Sequence, residues 1–245
     1  MTERSSSSQS DRAVVLLREM LLRGAFKPGE RLTELSLVPQ LEVSRTPVRH
    51  ALTRLAHEGL LEELPRGGFR VRAFTVDEIW NAIELRGILE GAAARLAAER
   101  LTDASTLVPA KTLLTAMDRA LPRNLADFVA YIQMNEEFHR EIWKLAGNSM
   151  LLRNIEHVVQ LPFAAPGALV FGEAEVPEAQ RTADLAQSQH QAIVEAIERG
   201  QGSRAEGVAR EHSLIAWKNI QRALNNKALF GRLPGASLVK IPFAV

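Results

Sequence analysis

From Thr75 to Asn226 the sequence consists of long stretches with helical apolar spacing and almost no connecting residues. A chain written this way has few ways to bury its apolar stripes other than packing helix on helix. Capping and breaking residues divide it. Helices are predicted at about 76–100 after Thr75, 103–121 after Thr102, and 124–146 between Pro122 and Gly147. A shorter helix follows at 148–160, then a Pro/Gly-rich connection at 161–176, and helices at 177–199 and 203–226 separated by Gly200 and Gly202. The fold expected here is an antiparallel all-helical bundle of six or seven helices.

The first third has a different texture. Residues 1–9 are Ser-rich and read as a disordered tail. A helix is predicted over 10–23, with Val14, Leu17 and Leu21 on one stripe, and it ends at Gly24, Pro28 and Gly29. Thr33 caps a short second helix to Leu41, and Ser44 caps a third to about His57. Pro47 sits in the first turn of that third helix, where its missing N–H costs nothing. After Gly59, "LLEEL" and "FRVRAF" read as two strands joined by "PRGG". The domains are therefore a tail at 1–9, a small α/β unit at 10–74, a helical domain at 75–226, and an apolar extension at 227–245 that packs on the bundle or on a partner.

Composition narrows the function classes. The chain of 245 residues has no cysteine, which excludes disulfides, thiol catalysis and zinc–thiolate sites and suits a reducing cytoplasm. No apolar run reaches membrane-spanning length; the nearest, 158–171, is broken by Pro162, Pro166 and Gly167. The N-terminus lacks the apolar core of a secretory signal. A cytoplasmic protein without membrane partners is expected. Residues 1–74 hold 12 Lys/Arg against 9 Asp/Glu, while 75–245 hold 18 against 20, so the positive excess lies in the small unit.

Two short helices joined by a tight turn, the second opening Ser-Arg-Thr-Pro, match the arrangement in which a second helix enters the DNA major groove. Arg45 and Arg49 lie four apart on one helix face, and each guanidinium can pair bidentately with guanine. Ser44 and Thr46 suit phosphate oxygens, together with the free N–H groups of the helix start that Pro47 opens. The Arg66-Gly67-Gly68 tip lets backbone approach a groove or phosphate closely. Leu52, Leu55, Leu60 and Leu61 form the core behind these groups. A solvated helix face and an ordinary turn would explain either feature alone, but not both at this spacing.

The bundle holds four histidines, His139, His157, His190 and His212. Asn135 and His139 are one helical turn apart, and His190 and His212 sit mid-helix on two later helices. Three imidazoles and one amide oxygen on a bundle axis would suit Zn²⁺, Ni²⁺, Fe²⁺ or Mn²⁺, with Zn²⁺ the first choice. Nothing near His157 in the sequence suggests a metal site, and it reads as an ordinary side chain. Arg86 is followed by Glu90 at i+4, so a salt bridge competes with any ligand role.

The segment GERLTELSLVPQLEVSRTPVRHALTRLAHEGLLEELPRGGFRV resembles the winged helix-turn-helix of GntR-family bacterial transcription regulators, closest to the FadR-type branch. Three positions depart from the pattern: Glu42 where the turn usually has Gly, Pro39 inside the second helix, and His50 where Glu is common, adding a possible phosphate contact. Residues 76–226 resemble the FCD ligand-binding domain, and Asn135, His139, His190 and His212 fall on that family's metal-ligand pattern. Asn in place of the commoner Asp removes a charge. The resemblance places Arg86 near the effector pocket, suited to a carboxylate. "QLPFAAPGALVF" resembles VanR-like members linked to aromatic-acid catabolism. The resemblance implies a homodimeric regulator, a repressor first of all, on a pseudo-palindromic double-stranded operator. Its effector would be a small carboxylate or an aromatic-acid-pathway metabolite, and it would not be an enzyme. A metalloenzyme-like hydrolase bundle fused to a DNA-binding module, and a repressor responding to metal alone, are the alternatives.

Overall fold

The computed structural model describes residues 2–120, 125–167, 176–231 and 233–241. These form two compact units. The first takes the residues up to Ile79 and those from Gly231 on; the second takes Trp80–Phe230.

In the first unit, helix α1 (Thr2–Leu22) begins well before residue 10, so the stretch expected as a disordered tail is the start of a helix. Its stripe of Val14, Leu17 and Leu21 is buried, and α1 lies against α3 (Arg45–His57), whose Val48, Ala51, Leu52 and Leu55 are buried in turn. Between them, α2 (Glu34–Leu41) is capped by Thr33: Ser36 N–H donates to Thr33 Oγ1 at 3.3 Å, and Thr33 N–H donates to Ser36 Oγ at 3.2 Å. This reciprocal pair satisfies two N–H groups of the helix start. Pro39 lies inside α2. Strands β1 (Arg31–Leu32), β2 (Leu61–Glu63) and β3 (Phe69–Val71) form an antiparallel sheet in the order β1-β3-β2, with Leu61 opposite Val71 and Arg31 opposite Arg70. Phe69 and Val71 face inward while Arg70 between them is exposed, the alternation of a half-buried sheet.

The expected strand "FRVRAF" is two strands. Phe74–Thr75 leaves the sheet as β4 and pairs in parallel with β5 (Val239–Lys240) near the C-terminus. Gly235 N–H donates to Leu22 O at 2.7 Å, and Leu233 and Leu238 are buried. The described residues from 231 to 241 are thus part of the first unit. Local periodicity cannot show a pairing whose partner lies at the other end of the chain.

The second unit is helical. Helix α4 (Val76–Arg100) enters it at Trp80. The predicted helix at 103–121 divides into a 3₁₀ turn, Ala104–Leu107, capped by Asp103, and α5 (Val108–Arg119), which starts afresh with Pro109 in its first turn. Then come α6 (Leu125–Leu145), α7 (Ser149–Val158), α8 (Val176–Glu198), α9 (Gly202–Leu224) and the short α10 (Lys227–Phe230). Of the expected connection at 161–176, residues 168–175 lie outside the described residues. Alanines 94, 97 and 98 of α4, Tyr131, Phe138 and Ile142 of α6, Ile193 and Ile197 of α8, and Ala205 and Ala209 of α9 share one core. Gly87 and Gly91 let α4 and α9 approach closely. A Cβ at Gly87 would fall 2.2 Å from Ser213 Oγ, and one at Gly91 would fall 2.6 Å from Arg210 Cγ. That approach brings one face of α4 to α9 beside His212. No helix among the described residues is long and apolar enough to cross a membrane.

Candidate functional site

Two sites emerge, one in each unit. In the first, the turn between α2 and α3 puts Glu42 in the left-handed region (φ 53°, ψ 38°), its N–H donating to Val38 O at 3.1 Å. A non-glycine residue there costs about 1 kcal/mol. Ser44 stands at the N-cap position of α3 with extended backbone, but its hydroxyl makes no capping bond, contrary to expectation. Ser44, Arg45, Thr46, Arg49 and His50 are all exposed around the start of the helix. Pro47, by contrast with the other DNA-binding candidates, is buried with Val48 and packs into the core of the unit. Arg49 Nε lies 3.7 Å from Glu34 Oε1 at the surface, a pair worth at most about 1 kcal/mol and readily exchanged for a phosphate or base.

The hairpin tip is held by Leu64 N–H donating to Gly68 O and Gly67 N–H to Leu64 O, both at 2.9 Å. Arg66 and Gly67 are exposed there. Sequence reasoning missed Arg31. Its Nη2 donates to Gly67 O at 2.8 Å, tying the tip to β1. Gly68 has φ +86°, and a Cβ on it would meet Arg31 Nε and Leu32 O at 3.2 Å, so the tip requires glycine.

In the second unit, α6 presents Asn135 and His139 one turn apart, α8 presents His190, and α9 presents His212; all four are buried. His139 Nε2 lies 3.2 Å from His212 Nε2, which lies 3.0 Å from His190 Nε2. The three imidazoles form a group able to hold a metal ion, one ligand atom from each falling within 4.8 Å of the others. His157, by contrast, is exposed on α7 and outside this group. Burial first, then the neighbouring imidazoles His212 and His139, holds His190 well below the ordinary histidine value. Burial and His139 do the same to His212, with Glu90 opposing. Both rings are therefore neutral at pH 7.

Outside the rings, the Nδ1 atoms face oxygens. His190 Nδ1 lies 3.3 Å from Gln187 Oε1, and His212 Nδ1 lies 3.1 Å from Gln189 Oε1. Gln187 Nε2 donates to Leu114 O at 2.8 Å, which leaves its oxygen as the acceptor for the ring. A neutral imidazole carries one N–H, so a proton on Nδ1 leaves Nε2 as a bare lone pair. Lone pairs directed at one point from about 3 Å apart repel each other unless a cation lies among them. The donor set thus fits a divalent metal.

The other candidate, Arg86, is buried on α4 with its fork already engaged. Nη1 donates to Ala164 O at 2.9 Å, Nη2 donates to Ser213 O at 3.2 Å, and Nε lies 3.7 Å from Glu90 Oε2. The pairing with Glu90 is present, and an effector carboxylate would have to displace a main-chain carbonyl. Glu90, Phe138, Ile142, Trp143 and Ile193 line a cavity beside His139 and His212 of only about 10 Å³, room for a single water.

Comparison with known proteins agrees with this layout. Residues 9–71 match the bacterial regulatory proteins of the gntR family, and residues 81–214 match the FCD domain. The Nta operon transcriptional regulator of Aminobacter aminovorans is 36% identical over 54% of this chain and 61% of its own length, so the chain spans less than two thirds of that relative. A probable D-xylose utilization operon transcriptional repressor of Paenarthrobacter nicotinovorans is 30% identical over 78% of this chain and 80% of its own. In fold, the chain is similar to E. coli McbR/YncC, with a TM-score of 0.59 at 22% identity, covering 89% of this chain and 98% of that one. These relatives are named as regulators, not enzymes. A small unit with an exposed basic helix start, joined to a helical unit with three converging imidazoles, is thus matched over both parts, and the chain belongs to the GntR family of bacterial transcription regulators with an FCD domain.

Proposed function

We propose that this chain is a homodimeric, DNA-binding repressor whose helical unit takes a divalent metal and a small carboxylate effector that modulates operator binding. The convergence of three imidazole Nε2 atoms carries the metal reading. His139, His190 and His212 would hold the ion, with the Asn135 amide oxygen one turn from His139 as a fourth donor. When bound, the ion supplies a Lewis-acidic point to which a carboxylate is drawn. The protein's own part is to hold these donors on three helices packed through one core, so that their spacing reports on the packing. For an effector to alter DNA binding it must prefer one arrangement of the dimer, since equal affinity for both shifts nothing.

On the DNA side, Arg45 and Arg49 read base edges, Ser44, Thr46 and His50 take phosphates, and the Arg66-Gly67 tip takes the adjoining groove or backbone. A two-fold dimer implies half-sites one helical turn or a multiple apart. Gel shifts on the chain's own promoter DNA test this. Arg45→Ala and Arg49→Ala should each lose about 1–3 kcal/mol of discrimination with the helical content unchanged. Unchanged operator preference in both variants would sink the DNA reading.

The metal-only alternative has one observation in its favour: among the described residues the cavity beside the cluster is about 10 Å³, and Arg86 is already engaged. Operator affinity that follows zinc and ignores a panel of aromatic and aliphatic carboxylates would select it. For the hydrolase alternative, Glu136 and Glu137 beside the ligands on α6 are poorly placed as a base, since both are exposed on other faces of that helix.

A further inference from the structure

We propose that Glu90 is the positioning residue of the imidazole cluster: it fixes the tautomer of His139 and supplies the negative charge that balances a bound cation. This rests on the metal reading given above. Glu90 comes from α4, an element that contributes none of the four candidate ligands. Its Oε1 lies 3.4 Å from His139 Nδ1. It therefore stands to His139 as Gln187 stands to His190 and Gln189 to His212. Each ring has one outer oxygen on Nδ1 and turns Nε2 inward, and the outer shell sets which nitrogen is available to a metal.

Glu90 differs from the two glutamines in charge. Asn135 and the three imidazoles are neutral donors, and Glu90 is, among the described residues, the one acidic residue lining the adjoining cavity. It is buried, and among the described residues neither of its oxygens has a hydrogen-bond partner, although Arg86 Nε stands 3.7 Å from Oε2. A carboxylate buried beside a cation but bonded to nothing has acceptor capacity to spare. An Nδ1–H drawn slightly closer takes up that capacity on one oxygen while the other stays toward Arg86. The close approach of α4 to α9 at Gly87 and Gly91 holds Glu90 at this depth.

Zinc titration of the metal-free full chain, with histidine ¹⁵N spectra, tests the assignment. Glu90→Gln keeps the shape and removes the charge; it should weaken zinc binding about 10- to 100-fold. Glu90→Asp, which keeps the charge, should recover most of that loss. In the metal-free wild type, His139 should carry its proton on Nδ1. Glu90→Leu should release that preference for His139 and leave His190 and His212 as they were. If Glu90→Leu does not fold, the wild-type tautomer and the Glu90→Gln titration still decide. Wild-type zinc affinity in Glu90→Gln, or an Nε2-protonated His139 in the wild type, overturns the proposal. The metal reading fails separately: wild-type protein that takes no zinc, or zinc binding that survives the double variant H190Q/H212Q, removes the metal while the tautomer result still judges Glu90.

Discussion

Lowering the pH from 6.5 to 5.5 should destabilise the metal-free helical unit by about 2 kcal/mol, and two buried histidines set that figure. His190 is fully buried and His212 nearly so, and burial holds both well below the ordinary value of about 6.5. Below that value the unfolded chain binds two protons that the folded unit refuses. Stability is therefore complete above about 6.5 and is lost as the pH falls. The limiting slope is about 1.4 kcal/mol per pH unit for each ring, and the first unit below 6.5 takes about 1 kcal/mol from each. Glu90 does not confuse this window. Burial alone would raise its carboxyl, but Arg86, then His139 and His212, bring it down to about 2, so its contribution is lost only between about 4.5 and 2. The assay is urea unfolding followed by tryptophan fluorescence. The three tryptophans, Trp80, Trp143 and Trp217, all lie in the helical unit, so the signal reports that unit alone. At about 2 kcal/mol per molar, the midpoint should fall by about 1 M between pH 6.5 and 5.5. The double variant H190Q/H212Q should show almost none of this fall. A midpoint that is level across the window, or one that falls equally in the double variant, would refute the reasoning.

Three further outcomes are expected. Gly68→Ala forces a side chain into φ +86° against Leu32 O, and Arg31→Ala releases the Gly67 carbonyl; each should weaken operator binding in gel shifts, with the glycine variant also losing about 1–2 kcal/mol of stability. A chain ended after Phe230 loses β5 and the buried Leu233 and Leu238, so the first unit should lose about 3–6 kcal/mol, seen as hydrogen exchange in α1 and α3 while tryptophan fluorescence is unchanged. Asn135→Asp adds a negative charge one turn from His139 and should tighten zinc binding at least about tenfold by calorimetry, since a charge pair at about 4 Å is worth several kcal/mol even at an effective dielectric of 20.

The parts of the fold that periodicity encodes were legible. Val14, Leu17, Leu21, Leu52, Leu55, Leu60 and Leu61 are all buried as their spacing implies, and Thr33 caps α2. Glu42 adopts the left-handed turn that a glycine would have taken more cheaply. What failed were positions where local sequence is ambiguous. Pro47 suits a first turn whether it faces outward or the core, and only tertiary packing decides that it is buried. Phe74 and Thr75 continue an alternating strand pattern, yet their partners are Val239 and Lys240, and no short window contains both halves of that pairing.

The candidate metal centre divides along the same line. Asn135 and His139 share a face by helical spacing, His190 and His212 were read from their mid-helix positions, and the resemblance to the FCD domain implied the same four; the structure brings the three imidazoles together. The shell around them was not legible, although one member had a local signal: Gln187 is three residues before His190, on the same face of α8. Gln189 serves His212 from a different helix, and Glu90 approaches His139 from α4. In the sequence, Glu90 reads as the i+4 partner of Arg86, a pairing that is present at 3.7 Å. The helical rule identifies one neighbour of a side chain on its own helix and is silent about the next helix. A carboxylate with two oxygens can serve both neighbours at once. Against the effect of burial, Arg86 lowers the pKa of Glu90, and if Glu90 serves His139 as proposed, the ion pair and the candidate metal centre act as one electrostatic unit, in which removing the guanidinium should alter zinc binding.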